Sequence, residues 1–315
     1  MNLSSPGCPA ELRAALNSPI PSLRTPFTAD GEMDEDGIRA QVDFVIAGGA
    51  KFIMLTYGDS LHTILSDDEV ARLAKVVVDQ TAGRAKVIAS DSVWPTPKAV
   101  AYAEYCQQIG ADLLMLLPPD WGASTTPETL VEHCNAVGRH MPLMLVTAFF
   151  EQSGVFGARP ESFRMDVIRA LYERVPSMVS IKDDVFGELG IQICKLTSDR
   201  WAVVSGGWMK NHLAQVPLGV AGYLCGMMSY VPEIPWRYWR AVEARDWQAA
   251  GDIVRDIETP YREHVMSYEG GFNCAMHGLF ELYGICSRHI RPPYHTISDG
   301  QLEQLKHFLQ SQGLL

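Results

Sequence analysis

The 315-residue sequence lacks the features that several protein classes require. Its 26 lysines and arginines against 37 aspartates and glutamates give a net charge of −11, so no basic surplus is available for nucleic acid or an anionic membrane. The seven cysteines are an odd number and form no CxxC pair or Cys/His cluster, which argues against a disulfide framework and a metal site. No apolar run approaches the roughly 18 residues of a membrane span, and the first residues lack a signal-peptide pattern. We therefore expect a cytoplasmic protein without nucleic-acid or membrane partners.

The sequence does contain a regular alternation of short apolar runs with stretches of helical periodicity. Helix starts are indicated by a capping box at Ser66 and Glu69, and by Thr96 and Thr126, each of which precedes a proline. The predicted strands are Ile20–Thr25, Phe52–Thr56, Lys86–Ser90, Leu113–Leu117, Leu143–Thr147, Met178–Lys182, Ala202–Ser205 and Gly222–Cys225.

These strands are continuously apolar, as in Leu113–Leu117, which is typical of parallel sheets buried on both faces. Eight such strand–helix units fill roughly the 250 residues of a (β/α)8 barrel. An open, doubly wound sheet is the alternative, but no glycine-rich dinucleotide or phosphate loop follows any strand. We predict an α/β fold, a (β/α)8 TIM barrel over residues 18–245, followed by a C-terminal helical region over residues 246–315. Its helices are predicted at Trp247–Tyr261, Gly271–Tyr283 and Ser298–Gln310.

Reacting groups of such barrels gather at the carboxyl ends of the strands, where the sixth run ends in Lys182. Burial disfavours the charged form of a lysine, and a neutral amine can attack a carbonyl to form a Schiff base. The alternative interpretation is a lysine at the rim of the barrel that pairs with Asp183 or Asp184.

Three further segments can form a binding site. The turn Thr56-Tyr57-Gly58-Asp59-Ser60 offers hydroxyls and backbone N–H groups for a carboxylate, although an ordinary loop is the alternative. Gly206 and Gly207 after the seventh run, and the segment 219–226 with Ala221 around the eighth, allow a ligand to approach the backbone.

These motifs resemble the dihydrodipicolinate synthase/N-acetylneuraminate lyase family. The resemblance rests on the order and spacing of Leu23–Phe27, Thr56–Ser60, Ser180–Asp183 and Ser205–Gly207, and it extends from Ile20 to the C-terminal helices. It implies a barrel with a helical extension and a homo-oligomer, a tetramer or a dimer. It further implies an imine between Lys182 and a 2-oxo acid, with Thr56 and Tyr57 at the carboxylate and no cofactor. Short matches at Lys182-Asp183, Gly206-Gly207 and Ile290–Pro293 resemble the 5-dehydro-4-deoxyglucarate dehydratases.

The sequence also departs from the family pattern. The tyrosine that normally ends the fifth strand and relays protons is replaced by Val146, followed by Thr147, and a second family tyrosine aligns with Trp121. Tyr57, Thr147 and His62 are the candidates for moving protons, although a loop histidine is usually a solvated surface group.

We therefore predict a Schiff-base lyase of the aldolase or dehydratase type acting on pyruvate or a keto-deoxy sugar acid. Its predicted catalytic residues are Lys182, Tyr57 and Thr56, and its predicted substrate-binding residues are Thr56, Tyr57, Gly58, Val146, Thr147, Gly206, Gly207 and Ala221. The alternative is a weakly catalytic barrel that binds a 2-oxo acid as a regulatory module.

Overall fold

The fold is described by a computed structural model that covers residues 7–150 and 161–315. The described residues form eight strands in one sheet, in the order β1-β8-β7-β6-β5-β4-β3-β2. The strands are β1 (Pro19–Ile20), β2 (Phe52–Met54), β3 (Lys86–Ser90), β4 (Leu113–Leu116), β5 (Leu143–Val146), β6 (Met178–Asp183), β7 (Ala202–Ser205) and β8 (Gly222–Leu224). Because β1 neighbours β8 and a parallel bridge joins Ser22 to Met54, the sheet is a nearly closed barrel. The predicted (β/α)8 barrel is confirmed.

Helices follow the strands, and a group of helices ends the chain. They are α1 (Ala10–Leu16), α2 (Glu35–Ala47), α3 (Asp67–Thr81), α4 (Thr96–Ile109), α5 (Pro127–Val137), α6 (Glu161–Arg174), α7 (Gly187–Thr197), α8 (Met209–Gln215), α9 (Glu233–Glu243), α10 (Trp247–Ile253), α11 (Thr259–Met266), α12 (Gly271–Leu282) and α13 (Asp299–Ser311). The helix predicted over Trp247–Tyr261 is α10, a π-helical turn at Val254–Glu258 and the start of α11. No helix in the described ranges is both long and apolar enough to cross a bilayer.

The strand and helix ends differ from the prediction in small ways. The first strand stops at Ile20, whereas the prediction extended it to Thr25, and the sixth runs one residue beyond Lys182 to Asp183. Ser66 and Thr126 cap their helices as predicted, but α4 already includes Thr96, whose hydroxyl instead hydrogen-bonds the His133 ring at 2.9 Å. A side chain that finds a tertiary partner no longer has to cap the backbone.

The chain forms two compact units, and the boundary between them does not lie at residue 245. The proposed division into a barrel over residues 18–245 and a helical region over residues 246–315 stays a prediction. The first unit comprises Met1–Ser18, of which the described part starts at residue 7, and Lys86–Leu224. Its strands β3 to β8 pair in parallel, and β4, β5 and β6 are buried over their whole length. The sheet therefore holds the carboxyl ends of β5, β6 and β7 in fixed register.

The second unit comprises Pro19–Ala85 and Cys225–Leu315. Phe27, Leu61 and Ile290 form a buried apolar cluster that joins its barrel segment to its C-terminal segment. Arg291 pairs with Glu69 at 2.7 Å and holds the pKa of that carboxyl at about 2. The Ile290–Pro293 segment is thus a structural link within this unit.

Candidate active site

Lys182 lies near the carboxyl end of β6 with only 7% of its side chain exposed. It is paired in register with Val146 on β5 and with Val204 on β7. Since residues paired across a sheet project to the same face, apolar side chains flank the lysine on both neighbouring strands. A buried ammonium in such surroundings requires a charged partner.

That partner is Asp184, two residues further along the chain. Its carboxylate oxygens lie 2.5 and 2.6 Å from the Lys182 Nζ atom. Of the two interpretations of Lys182, the ion pair is present in the structure, and Asp184 is the partner whereas Asp183 is not. An ion pair does not exclude Schiff-base chemistry, because transfer of one proton to the carboxylate leaves a neutral amine.

Asp183 has a separate structural function and is fully buried. One carboxylate oxygen accepts hydrogen bonds from the backbone N–H groups of Val185 and Phe186 at 3.2 and 3.1 Å. The other accepts a hydrogen bond from the Gln215 side chain at 2.7 Å. These bonds fix the turn after β6 and, with it, the position of Asp184.

Thr147 follows β5, and its hydroxyl also contacts this turn. The Asp184 N–H donates a hydrogen bond to the Thr147 oxygen at 2.8 Å, and the hydroxyl lies 3.5 Å from an Asp183 carboxylate oxygen. Within the first unit, the structure thus brings together Lys182, Val146 and Thr147 of the predicted site residues.

Gly206 lies against the same two aspartates. Its N–H donates to the Asp183 carbonyl at 2.8 Å, and a Cβ atom at this position would lie 1.9 Å from Asp184 Oδ1. Only glycine leaves room for the Asp184 carboxylate here. By contrast, a Cβ atom at Gly207 would meet no atom within 4 Å.

Ala221 requires a correction. It directly precedes β8, and its N–H donates to the Val203 carbonyl at 2.7 Å. It therefore lies at the amino end of a strand, whereas substrates of such barrels bind at the carboxyl ends. Glycines lie on both sides of the eighth strand in the sequence, so their pattern did not show which residues lie at its carboxyl end.

The turn after β2, residues Thr56–Ser60, lies in the second unit. Thr56 is buried, and its hydroxyl accepts the Asp59 N–H at 2.9 Å, while its own N–H donates to the Ser60 hydroxyl at 3.0 Å. Among the described residues, the N–H groups of Tyr57 and Gly58 have no hydrogen-bond acceptor. Two adjacent free N–H groups on one turn are suited to an anion.

Leu23–Thr25, the segment after β1, supports this turn from within the same unit. Ser60 donates its hydroxyl to the Leu23 carbonyl at 2.7 Å, and Thr25 donates its hydroxyl to the Ser60 carbonyl at 2.6 Å. The buried Arg24 pairs with Asp59 at 3.2 Å. These contacts give the Leu23–Phe27 motif a physical reason, namely to hold the turn.

Two aromatic residues of this region bear on proton transfer. Burial and the neighbouring Tyr294 raise the pKa of the Tyr57 phenol, which makes it a weaker acid than a free phenol. His62 is 3% exposed and its ring meets the Tyr57 ring edge-on, so the expectation of a solvated surface histidine is wrong. Trp121, which the sequence comparison aligns with the second family tyrosine, is 65% exposed.

Sequence reasoning missed two acids. Asp184 enters the sequence interpretation only as a partner for a rim lysine, and the structure places it in the turn directly after β6, in contact with Lys182. Asp91 follows β3, accepts the Leu117 N–H at 2.8 Å, and has a pKa raised to about 8 by burial. The sequence feature that could have identified Asp91 is a charged residue directly after an apolar run.

Comparisons with known proteins agree with this architecture. The chain matches the dihydrodipicolinate synthetase family over residues 15–312 and therefore belongs to that family. Among solved structures, it resembles a dihydrodipicolinate synthase from Oceanobacillus iheyensis with a TM-score of 0.82, at 19% identity over 97% of this chain and 99% of the other. It also resembles an N-acetylneuraminate lyase from Mycoplasma synoviae with a TM-score of 0.79, at 16% identity over 95% and 98% of the two chains.

Curated proteins with similar sequences include several that are named as dehydratases. The chain is 24% identical to 5-dehydro-4-deoxyglucarate dehydratase of Pseudomonas putida over 97% of this chain and 99% of the relative. It is 28% identical to a probable 5-dehydro-4-deoxyglucarate dehydratase of a Bradyrhizobium species over 80% and 78% of the two chains.

Proposed function

We propose that this protein is a Schiff-base-forming dehydratase whose substrate is a keto-deoxy sugar acid. The observation that carries the proposal is Lys182, a buried amine near the carboxyl end of a barrel strand with a carboxylate 2.5 Å away. The relatives named for 5-dehydro-4-deoxyglucarate support the substrate class. That name describes a six-carbon diacid with a carbonyl beside one carboxylate and a CH2 group beside the carbonyl.

Carbons are counted here from the carboxylate beside the carbonyl, the reverse of the order in the compound's name. In the proposed reaction, the Lys182 amine adds to the carbonyl carbon C2 and water leaves, giving a protonated imine. The positive imine nitrogen withdraws electrons from C3, which makes a C3 proton removable. Loss of that proton and of the hydroxyl on C4 then dehydrates the sugar acid. The iminium is the electron sink, so the proposal involves no cofactor.

We assign the substrate carboxylate to the Thr56–Gly58 turn, because the loops at the carboxyl ends build the active site in (β/α)8 barrels. Two free N–H groups and the Thr56 hydroxyl are donors that recognise a carboxylate without a full positive charge. This assignment fits a chain with a net charge of −11, in which long-range attraction cannot gather an anionic substrate.

Borohydride reduction tests the proposal. The protein is incubated with pyruvate or with 5-dehydro-4-deoxyglucarate, reduced, digested and mapped by mass spectrometry. We expect a reduced adduct on Lys182, more of it with the sugar acid, and without borohydride a product lighter than the sugar acid by one water. No adduct with either acid in a folded protein would contradict the proposal.

A second candidate is a barrel that binds a 2-oxo acid without turnover. Val146 favours it, since this neighbour of Lys182 carries no exchangeable proton. Exchange of C3 protons with heavy water separates the two: a working imine exchanges them, whereas a silent binder does not. Two fragments in place of one dehydrated product would instead indicate an aldolase.

A further inference from the structure

Schiff-base formation needs a group that carries protons at the lysine nitrogen. An ammonium cannot attack a carbonyl, so one proton must leave Lys182 before the C–N bond forms. The carbinolamine oxygen must then gain protons before it leaves as water. The neighbour of Lys182 on β5, Val146, can supply neither step.

Among the described residues, the hydrogen-bond partners of Lys182 Nζ are the two carboxylate oxygens of Asp184, at 2.5 and 2.6 Å. Both distances are short enough for a proton to pass directly between nitrogen and oxygen. C2 of an imine is bonded to this nitrogen and C3 is one bond further. A carboxylate that contacts Nζ is therefore close to each atom that gains or loses a proton.

The position of Asp184 is fixed from three sides. Thr147 accepts its N–H at 2.8 Å, Asp183 anchors the turn on which it lies, and Gly206 leaves the space that its carboxylate fills. The Asp184 side chain is nevertheless 22% exposed, whereas Asp183 is fully buried. Asp184 combines a fixed position with access to a ligand, as an acid–base group requires.

We propose that Asp184 is the catalytic acid–base residue at the Lys182 nitrogen, in the place of the missing tyrosine hydroxyl. The inference rests on the proposed function and names the residue that moves its protons. Asp184 accepts a proton from the Lys182 ammonium, and the amine adds to C2 while the carbonyl π electrons move to oxygen. Asp184 gives that proton to the carbinolamine oxygen. It then carries a second proton from the Lys182 nitrogen to the same oxygen, which leaves as water. An ammonium and a ketone thus become a protonated imine and water, with Asp184 again a carboxylate.

The same carboxylate then takes a proton from C3. The electrons of the C3–H bond form a C2–C3 double bond, and the imine π electrons return to nitrogen. In a dehydration, the nitrogen lone pair re-forms the imine bond and the C2–C3 π electrons become a C3–C4 double bond, while Asp184 gives this proton to the C4 hydroxyl and the C4–O bond breaks. One C3 proton and one hydroxyl leave as water, and Lys182 retains the carbon skeleton until hydrolysis.

The test compares three variants of the full-length protein. Asp184→Asn keeps the shape of the side chain but cannot accept a proton, and Asp184→Glu restores a carboxylate. Glu188→Gln removes one negative charge from the exposed first turn of α7 as a control. Each is measured for C3 hydrogen–deuterium exchange of the bound 2-oxo acid across pH, and for the borohydride adduct on Lys182.

We expect exchange to fall by about 10²- to 10⁴-fold in D184N, with loss of the pH-dependent limb that the carboxylate creates in the wild-type profile. The adduct should still accumulate during long incubation, since water carries the protons more slowly. D184E should recover at least about a tenth of the wild-type exchange rate, and E188Q should match the wild type.

Four results would overturn the inference. D184N exchanging within about fivefold of the wild type would show that another group moves the protons. D184N that never forms the adduct, or D184E as slow as D184N, would make Asp184 only a structural partner of Lys182. A wild-type protein without any adduct would remove the proposed function itself and this inference with it.

Discussion

The carboxyl end of β6 and the turn after β2 are both polar segments that follow buried strands, yet they differ in what they leave available. Around β6, the Lys182 ammonium, the Asp183 carboxylate and the Thr147 hydroxyl all have partners, and the contacts are charged and short. In the Thr56–Ser60 turn, the Thr56 and Ser60 hydroxyls bond to backbone groups of the turn, while two backbone N–H groups have no acceptor within the part of the chain that the structure describes.

In the proposed function, this difference corresponds to a division between proton transfer and substrate binding. A charged pair with a fixed geometry is suited to moving protons, because its members exchange a proton without first being brought together. Free backbone donors on a turn are suited to holding an anion, because they neither titrate nor need a counter-ion. We therefore expect variants near β6 to affect the chemical step and variants in the turn to affect binding.

The largest expected effect on turnover is that of Lys182→Arg. Arginine keeps a positive charge beside Asp184 and so preserves the ion pair, but its guanidinium stays protonated and forms no imine. Turnover should fall by about 10⁴-fold or more, with no borohydride adduct and an unchanged urea midpoint. Retained turnover in K182R would place the chemistry elsewhere.

Next is Gly206→Ala, compared with Gly207→Ala. A methyl group at position 206 would overlap Asp184 Oδ1 and lie 2.6 Å from the Asp183 carbonyl oxygen, whereas position 207 is open. We expect G206A to lose about 1–3 kcal/mol of stability in urea denaturation and to lower kcat by displacing Asp184. G207A should leave stability within about 0.5 kcal/mol of the wild type. Equal effects of the two variants would contradict the close packing at Gly206.

A smaller effect is expected from Thr56→Val in the turn. The substitution removes a hydroxyl that accepts the Asp59 N–H and, in the proposed function, donates to the substrate carboxylate. We expect KM to rise by about tenfold, the equivalent of one hydrogen bond to a charged group, with kcat within about threefold. A fall in kcat at constant KM would place Thr56 in the chemical step and contradict its assignment to substrate binding.

The smallest effect on turnover is expected from Asp91→Asn, which instead tests the pH dependence of stability. The pKa of Asp91 is about 8 in the folded protein, above its ordinary value near 3.8, so the unfolded chain ionises it more readily. Its contribution to stability is complete below pH 3.8 and is lost as the pH rises towards 8. The asparagine variant should remove this decline between pH 5 and 8 in chemical denaturation, leaving kcat at pH 6 unchanged. An identical pH slope in both proteins would contradict the raised pKa.

Prediction from sequence succeeded where local pattern and burial coincide. The apolar runs gave all eight strands, because strands buried on both faces have no room for alternating polar residues. It failed at the ends of elements: the first strand stops at Ile20, and Thr96 lies within α4, because contacts distant in sequence decide which backbone groups remain to be paired.

The site residues were likewise predicted only where the signal is local in sequence. Lys182 and the Thr56 turn were found because a polar residue after an apolar strand is itself a local signal. The burial of His62 and the position of Ala221 at the amino end of β8 were not found, since both depend on how distant segments pack.

The sequence alone determined the barrel class, through strand–helix alternation, and the candidate nucleophile, through a lysine at the end of a buried run. Only the tertiary structure decided that Asp184 and not Asp183 pairs with Lys182, although both carboxylates stand close to it in sequence. Successive residues of a strand project to opposite faces, so Asp183, the last residue of β6, projects away from Lys182 and contacts the Gln215 side chain, while Asp184 in the turn that follows pairs with Lys182. Asp184 is also positioned by Gly206, which follows β7, and by Thr147, which follows β5, and both lie near it only after the chain has folded.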